Sequence, residues 1–219
     1  MRPPRRLAAV LAVAAGLALA GGARAQGGGG VAARRLRFAE QGKQLVVSAA
    51  FTDLFDEDTL EELDSGFATT IVLRSYVYTK GQEQPVAFAA ATVRIVYDLW
   101  EEVYLVQIND PRGERNARRA TRAEALKEAT TLAVFPVASL SQVAIGPIYQ
   151  VAMIVELNPV SQEMLADVRR WLARPQGRDE VAGNSSFFGS FVSIFVNPKI
   201  EEAERTLKFR SQRFYRVKR

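Results

Sequence analysis

The sequence predicts an α+β fold, with a single domain in which an antiparallel β-sheet meander carries three or four helices packed on one side of it. Three long runs of β-branched and aromatic residues, joined by links of hairpin length, predict the meander. Segments with capping residues and helical periodicity predict the helices. We expect a leader (residues 1–25), a flexible glycine-rich linker (residues 26–35) and one exported domain (residues 36–219), which is long enough for a substantial core.

The N-terminus has the three parts of a secretory signal peptide. A cationic start with three arginines precedes an apolar stretch over residues 7–20, and small residues then predict cleavage between Ala25 and Gln26. The apolar stretch is shorter than the roughly 20 residues that a membrane-spanning helix needs. We therefore expect export to the periplasm, with a membrane tether as the alternative if the leader is retained.

Composition excludes several kinds of chemistry. The sequence has no cysteine and no histidine, which excludes ordinary zinc sites, Ser-His-Asp and Cys-His catalysis, and haem held by either residue. We predict neither a metal nor a cofactor. The leader holds four of the 29 basic residues, so 25 basic residues face 24 acidic ones in the mature chain. Such a balance gives no electrostatic reason to expect a nucleic-acid partner.

The domain begins with a predicted strand and an acidic helix. Apolar residues alternate from Gln44 to Phe51, which is typical of a half-buried strand. Asp56 stands where an N-cap is needed, acids fill the first turn, and Gly66 follows as a stop signal. These features predict a short helix over residues 57–65.

The meander is predicted from three consecutive strands. They cover Phe67 to Thr79, Val86 to Tyr97 and Val103 to Asn109, and the links between them have the length of hairpin loops. The next segment, residues 112–122, is polar and rich in arginine. We predict that it is a loop.

The second half of the chain predicts two helices and two strands. A capping box at Thr121 opens a helix over residues 121–133, and a second helix covers residues 161–174. Pro136 is expected to end the first helical region. Alternation predicts a strand over residues 147–157 and a final strand over residues 207–217.

The sequence of residues 187–196 is compatible with either a helix or a strand. Their aromatic and β-branched composition favours a strand. Polar residues recur in and beside the segment at helical spacing, however, and would form one polar stripe on a helix. We lean to the helix because that stripe gives the polar side chains a single direction toward solvent.

Two blocks of charge are the strongest candidates for function. Seven acids without a base lie within residues 53–64, and seven bases without an acid lie within residues 205–219. Both can be solvated faces that lie opposite each other across the fold. The alternative makes the basic tail a contact for an anionic envelope polymer, an acidic envelope protein or the membrane surface. The tail residues in this prediction are Arg205, Lys208, Arg210, Arg213 and Arg216.

A weaker candidate is an aromatic and acidic face at a hairpin loop, formed by Tyr97, Asp98, Trp100 and Tyr104. Carboxylates beside aromatic rings occur where sugars bind, and paired carboxylates can hydrolyse glycosides. That reaction needs a defined separation across a cleft, which one short loop rarely provides. The acidic block lacks the spacing of an EF-hand loop, and no serine lies in a nucleophile motif. We assign no catalytic residue.

The order of several short motifs points to a known family. The motifs are Leu63-Asp64-Ser65-Gly66-Phe67, Val72-Leu73-Arg74, Val93-Arg94-Ile95-Val96-Tyr97-Asp98 and Tyr104-Leu105-Val106. With the exported leader, they resemble bacterial proteins grouped as the domain of unknown function 4390 family, over roughly residues 40–215. The resemblance implies an uncharacterised envelope protein of gram-negative bacteria without established catalytic residues.

We therefore expect a periplasmic envelope protein of unknown activity that binds or assembles without catalysis. Its expected partner is an unidentified envelope protein or an anionic envelope polymer. The alternative function is a carboxylate-dependent cell-wall glycosidase or a similar hydrolase.

Overall fold

The computed structural model describes residues 31–159, 162–173 and 203–218. A 3-10 turn lies at Thr52–Leu54, and the helices are α1 (Glu57–Asp64), α2 (Arg122–Thr130) and α3 (Gln162–Leu172). The strands are β1 (Ala32–Arg34), β2 (Arg37–Gln41), β3 (Gln44–Ala50), β4 (Thr69–Thr79), β5 (Pro85–Asp98), β6 (Val103–Asp110), β7 (Gly113–Arg119), β8 (Thr131–Ser139), β9 (Ile148–Pro159), β10 (Ala203–Ser211) and β11 (Phe214–Tyr215).

The strands form two sheets. The larger has eight strands in the order β1-β10-β9-β4-β5-β6-β7, and β11 also pairs with β9. β1 runs parallel to β10, whereas the other pairs of this sheet are antiparallel. The smaller sheet is antiparallel and has the order β2-β3-β8.

The predicted fold class is wrong. The described chain is mostly β-sheet, with a mixed eight-stranded sheet and a second sheet rather than one meander that carries helices. The helices also lie on different sides: Leu63 of α1 and Ala125 of α2 belong to the main core, while Val168 of α3 belongs to a cluster on the opposite face of the large sheet. Alternation of apolar and polar residues predicts single strands well. It does not show which strands pair, so it could not predict that β9, from far along the chain, pairs with β4 and that β10 pairs with β9.

The predicted loop over residues 112–122 is also wrong, because it contains β7. This strand forms the edge of the large sheet, and all seven of its residues are exposed or half-buried. An exposed edge strand carries charged residues because they oppose pairing with other chains. Its sequence therefore lacks the apolar alternation on which strand prediction depends.

The helix predicted over residues 121–133 ends earlier, at Thr130. β8 follows without a break and contains Pro136, which was predicted to end the helical region. β8 is an edge strand of the small sheet, and Pro136 lies opposite Val46 at a register irregularity. A proline has no backbone N–H to donate to a neighbouring strand. It is tolerated here because an edge strand has a neighbour on one side only and the pairing is irregular at this point.

Most other predicted elements are confirmed. The structure places β3, α1, α3 and the meander strands β4, β5 and β6 within a few residues of their predicted bounds. The predicted final strand corresponds to β10 and β11, and β1 forms within the predicted linker. Asp56 caps α1 as predicted, in a box with Thr59. The predicted leader (residues 1–25) and residues 187–196 lie outside the described residues.

Strand β4 is buried on both faces. Ile71, Leu73 and Val77 point into the main core, while Val72 and Tyr76 point into the opposite cluster with α3. A strand covered on both faces has a continuous apolar sequence, which explains why this segment shows little alternation.

An ion pair lies on the α3 face of the large sheet. Arg74 of β4 contacts Glu156 of β9, and the side chains are 0% and 3% exposed. The two residues are diagonal neighbours, because Arg74 pairs with Ile154 and Val72 pairs with Glu156. Such a pair is costly to separate, because either partner alone would be a buried charge.

Within the described ranges, no helix has the length and apolar character needed to span a bilayer.

We expect Arg74→Met to lower the free energy of unfolding by about 3–5 kcal/mol, since Glu156 would stay buried without its cation. Adding Glu156→Leu should recover part of that loss, because the two buried charges are then both absent. Urea unfolding of the two single variants and the double variant measures the coupling. Arg94→Met, at an exposed site on β5, is the control and should change stability by about 0.5 kcal/mol or less. Additive losses in the double variant would contradict the coupling.

Candidate functional site

The structure divides the predicted basic tail into two groups. Arg205 forms an ion pair with Asp56 at the start of α1. Arg216 forms one with Glu40 at 2.8 Å and donates to the carbonyl of Leu140 at 2.9 Å. These two arginines therefore hold the C-terminal strands against other parts of the fold.

The second group is Arg210 and Arg213. Both side chains are exposed, and neither forms a hydrogen bond or an ion pair with any residue in the described part of the chain. Lys208 lies between the groups on β10, opposite Ile154, and is half-buried. The two exposed arginines remain available to a ligand.

Arg210 and Arg213 line a pocket of about 520 Å³, which we call the basic pocket. It lies between the β4–β5 hairpin, the start of β9 and the C-terminal strands. The other lining residues are Tyr78, Thr79, Lys80, Gly81, Gln82, Glu83, Ile148, Tyr149, Gln150 and Ala152. Three cationic side chains thus face one carboxylate, Glu83, so the described lining carries net positive charge.

A β-bulge separates the two arginines. Arg210 is opposite Ala152, and Phe214 is opposite Tyr149. Between these two pairs, the C-terminal segment has one residue more than β9, which is the defining feature of a bulge. The bulge interrupts the regular pairing with β9 next to Arg213, and Arg213 lines the pocket at this point.

Hydrogen bonds fix the backbone of the bulge without using either arginine. The buried hydroxyl of Ser211 accepts from the backbone N–H of Val151 at 2.9 Å, and the Gln150 side chain donates to the Ser211 carbonyl at 2.7 Å. The Gln212 side chain accepts from the N–H of Leu36 at 2.9 Å and donates to its carbonyl at 2.6 Å. The arginines are therefore presented by a preformed backbone.

Tyr78 supplies a hydroxyl beside the cations. It is half-buried near the end of β4, opposite Gln150. Burial raises the pKa of its hydroxyl, while the positive charge of Arg210 opposes that rise. The hydroxyl is consequently protonated near neutral pH and can donate a hydrogen bond. Ile148, which is 39% exposed, adds apolar surface to the same pocket.

The predicted aromatic and acidic face does not converge on one cleft. The carboxylate of Asp98 accepts from the backbone N–H groups of Trp100 and Glu101 at 2.9 and 3.1 Å, so it stabilises the β5–β6 turn. The rings of Tyr97 and Tyr104 contact each other at a tilt of 37°, with centroids 4.6 Å apart, on the core side of the sheet. Trp100, in contrast, is almost fully exposed to solvent.

Tyr104 joins the sheet to α1. Its hydroxyl donates to Asp64 at 2.6 Å, and Arg122 at the start of α2 pairs with the same carboxylate. Burial, together with the hydrogen bond to Asp64, raises the pKa of Tyr104 to about 12. This cluster links α1 and α2 to β6, and the buried phenol is inaccessible to a ligand.

Among the described residues, no group of carboxylates is arranged to hold a metal ion. In the basic pocket, Glu83 is the one described carboxylate. Hydrolysis of a glycoside by the usual mechanism needs two carboxyl groups across a cleft. The chemistry that the basic pocket can perform is therefore anion binding by Lys80, Arg210, Arg213 and the hydroxyl of Tyr78.

Sequence reasoning identified Arg210 and Arg213 but missed Tyr78 and Lys80 as members of the same site. The pocket combines segments near residues 80, 150 and 210, and only the pairing of β9 with both β4 and β10 brings them together. No local sequence pattern predicts such a pairing. The signal that did identify Arg210 and Arg213 was the run of bases without acids over residues 205–219.

We expect Arg210→Gln to raise the pKa of Tyr78 further, because a nearby cation stabilises the phenolate and its removal favours the neutral hydroxyl. The ¹³C shift of the Tyr78 ring carbon that bears the hydroxyl, followed against pH, measures this pKa. Arg35→Gln, a charge change outside the pocket, should leave it unchanged. An unaltered titration in Arg210→Gln would show that the two side chains are not neighbours.

Comparison with known proteins supplies the family. The family model described as Domain of unknown function (DUF4390) matches residues 29–161, a range that includes Tyr78, Lys80 and the β5–β6 turn but ends before Arg210. Comparisons with curated proteins and with solved structures give no match. Because the family model covers more than half of the sequence, the chain belongs to the Domain of unknown function (DUF4390) family.

Proposed function

We propose that this protein is an exported, non-catalytic binding module that holds an anionic group of a cell-envelope polymer in the basic pocket. The leader pattern over residues 1–25 supports export. The observation that carries the proposal is the convergence of Lys80, Arg210 and Arg213 on one pocket.

The charges of the pocket favour an anion. Ion pairs inside the fold engage Arg205 and Arg216, whereas the described residues provide no such partner for Arg210 and Arg213. A guanidinium offers a planar set of donors that matches a carboxylate or a phosphate. Clustered cations in a concave surface also raise the local concentration of anionic ligands.

The lining of the pocket favours an anion attached to a larger molecule. Ile148, which is 39% exposed, and the half-buried ring of Tyr78 form an apolar wall beside the cations, and the Tyr78 hydroxyl adds a neutral donor. An isolated small anion would leave this wall unused. A sugar or acyl group next to a phosphate or carboxylate would cover it, which matches the anionic polymers of an envelope.

The fold also determines how the proposal is tested. Deletion of the basic tail would remove β10 and β11, which pair with β9 in the large sheet. Loss of binding after such a deletion would therefore report loss of the fold. Substitution of Arg210 and Arg213 avoids this problem, because their side chains are exposed and form no hydrogen bond or ion pair with the described residues.

We expect Arg210→Gln combined with Arg213→Gln to weaken binding to purified lipopolysaccharide by about tenfold or more, since each charge-assisted hydrogen bond contributes about 1.5–3 kcal/mol. Retention of the mature protein on immobilised lipopolysaccharide, measured against salt concentration, provides the readout. In the wild type, retention should fall steeply with salt because the contact is ionic.

Arg35→Gln combined with Arg37→Gln is the matched control, because it removes two exposed positive charges outside the pocket. This control should retain wild-type affinity. Equal losses in both double variants would indicate general charge attraction and contradict a specific pocket. Equal retention of the wild type on zwitterionic vesicles would show that an anionic group is not what is recognised.

A further inference from the structure

Three large apolar side chains are exposed together at the end of the large sheet opposite the basic pocket. Phe67 is 70% exposed, Leu99 60% and Trp100 96%. We call this group the apolar tip. Exposed tryptophan is uncommon on a soluble surface and is enriched among the residues that contribute most to protein–protein affinity.

Local structure holds the apolar tip in place. Gly66 has a φ of +85°, and a side chain there would meet Leu99 at 3.2 Å, so the chain passes directly against Leu99 before it reaches Phe67. The Asp98 carboxylate binds the backbone N–H groups of Trp100 and Glu101. The turn is thus preorganised, which reduces the entropy lost on binding.

Carboxylates surround the apolar tip. Asp98, Glu101 and Glu102 lie in the same turn without a basic residue between them. α1, which ends just before Gly66, has no basic residue in its last turn. Arg118 pairs with Glu101 and Arg122 pairs with Asp64. Glu61, Glu62 and Glu102 are exposed and form no ion pair with the described residues, so carboxylates still outnumber cations here.

We propose that the apolar tip docks into an apolar pocket of a partner protein whose rim carries lysine and arginine. The apolar side chains supply the buried contact, and the carboxylates select a cationic rim because like charges at an interface are costly. An anionic lipid surface is disfavoured for the same reason. This surface and its partner go beyond the polymer binding proposed for the basic pocket.

The two surfaces can be occupied at once. β4 joins them, because the apolar tip lies beyond its first residue, Thr69, and the basic pocket lies at its last residue, Thr79. Eleven extended residues span about 35 Å. A ligand in the basic pocket therefore leaves the apolar tip accessible to a protein partner.

Photocrosslinking in the native host tests this docking. The full chain would carry p-benzoylphenylalanine in place of Leu99, or in place of Ile145 as the control, which is 53% exposed in the uncharged β8–β9 loop. We expect a discrete adduct with another protein from position 99 and none from position 145. The partner peptide, identified by mass spectrometry, should be rich in lysine and arginine.

Variants in the same background establish which contacts matter. Trp100→Ser should abolish the adduct, and Glu102→Lys should reduce it severalfold, while neither changes the melting temperature because both side chains are exposed. Arg210→Gln with Arg213→Gln should leave the adduct intact, which separates this proposal from the function of the basic pocket. No adduct, an adduct with lipid, with a second copy of this chain or with an acidic peptide, or one insensitive to Trp100→Ser, would overturn the proposal.

Discussion

The pairing registers of β4 with β9 and with β5 determine where both surfaces of this protein lie. β4 and β9 pair from Ile71 opposite Leu157 to Thr79 opposite Tyr149, through the centre of the large sheet. Both faces of β4 are buried, so a shift by one residue would exchange the side chains of the two cores. It would also move Arg74 away from Glu156 and leave buried charges unpaired, which is a second penalty on any other register.

Two surfaces with different chemistry follow from this register. At one end of β4, the pocket collects Lys80 with Arg210 and Arg213, and the bulge between β10 and β11 presents the second arginine. At the other end, the turn after β5 exposes Trp100 among carboxylates. A long, doubly buried strand keeps these ends at a constant separation. The proposed role is therefore that of a rigid connector between an anionic envelope polymer and a protein with a cationic surface.

Sequence reasoning found the parts of the fold that local patterns encode. The alternation in β3, the cap of α1 at Asp56 and the β4–β5–β6 meander were all visible. It failed where tertiary context decides the outcome. β7 carries an edge-strand sequence without apolar alternation, and Pro136 lies in an edge strand where its missing N–H costs little. The expectation that the helices lie on one face of the sheet was also wrong. Periodicity indicates which side of a helix is buried but not which face of the sheet covers it.

The candidate site shows the same division. The tail arginines stood out by composition, yet their roles differ only through contacts with Asp56 and Glu40, far away in sequence. The most direct measurement is amide chemical-shift mapping of the protein during titration with glucose 1-phosphate, whose sugar can cover the apolar wall of the pocket. We expect shifts confined to three segments, residues 78–83, 148–152 and 210–213, with a common dissociation constant. Shifts spread over all basic residues, or absent from one of the three segments, would contradict the pocket.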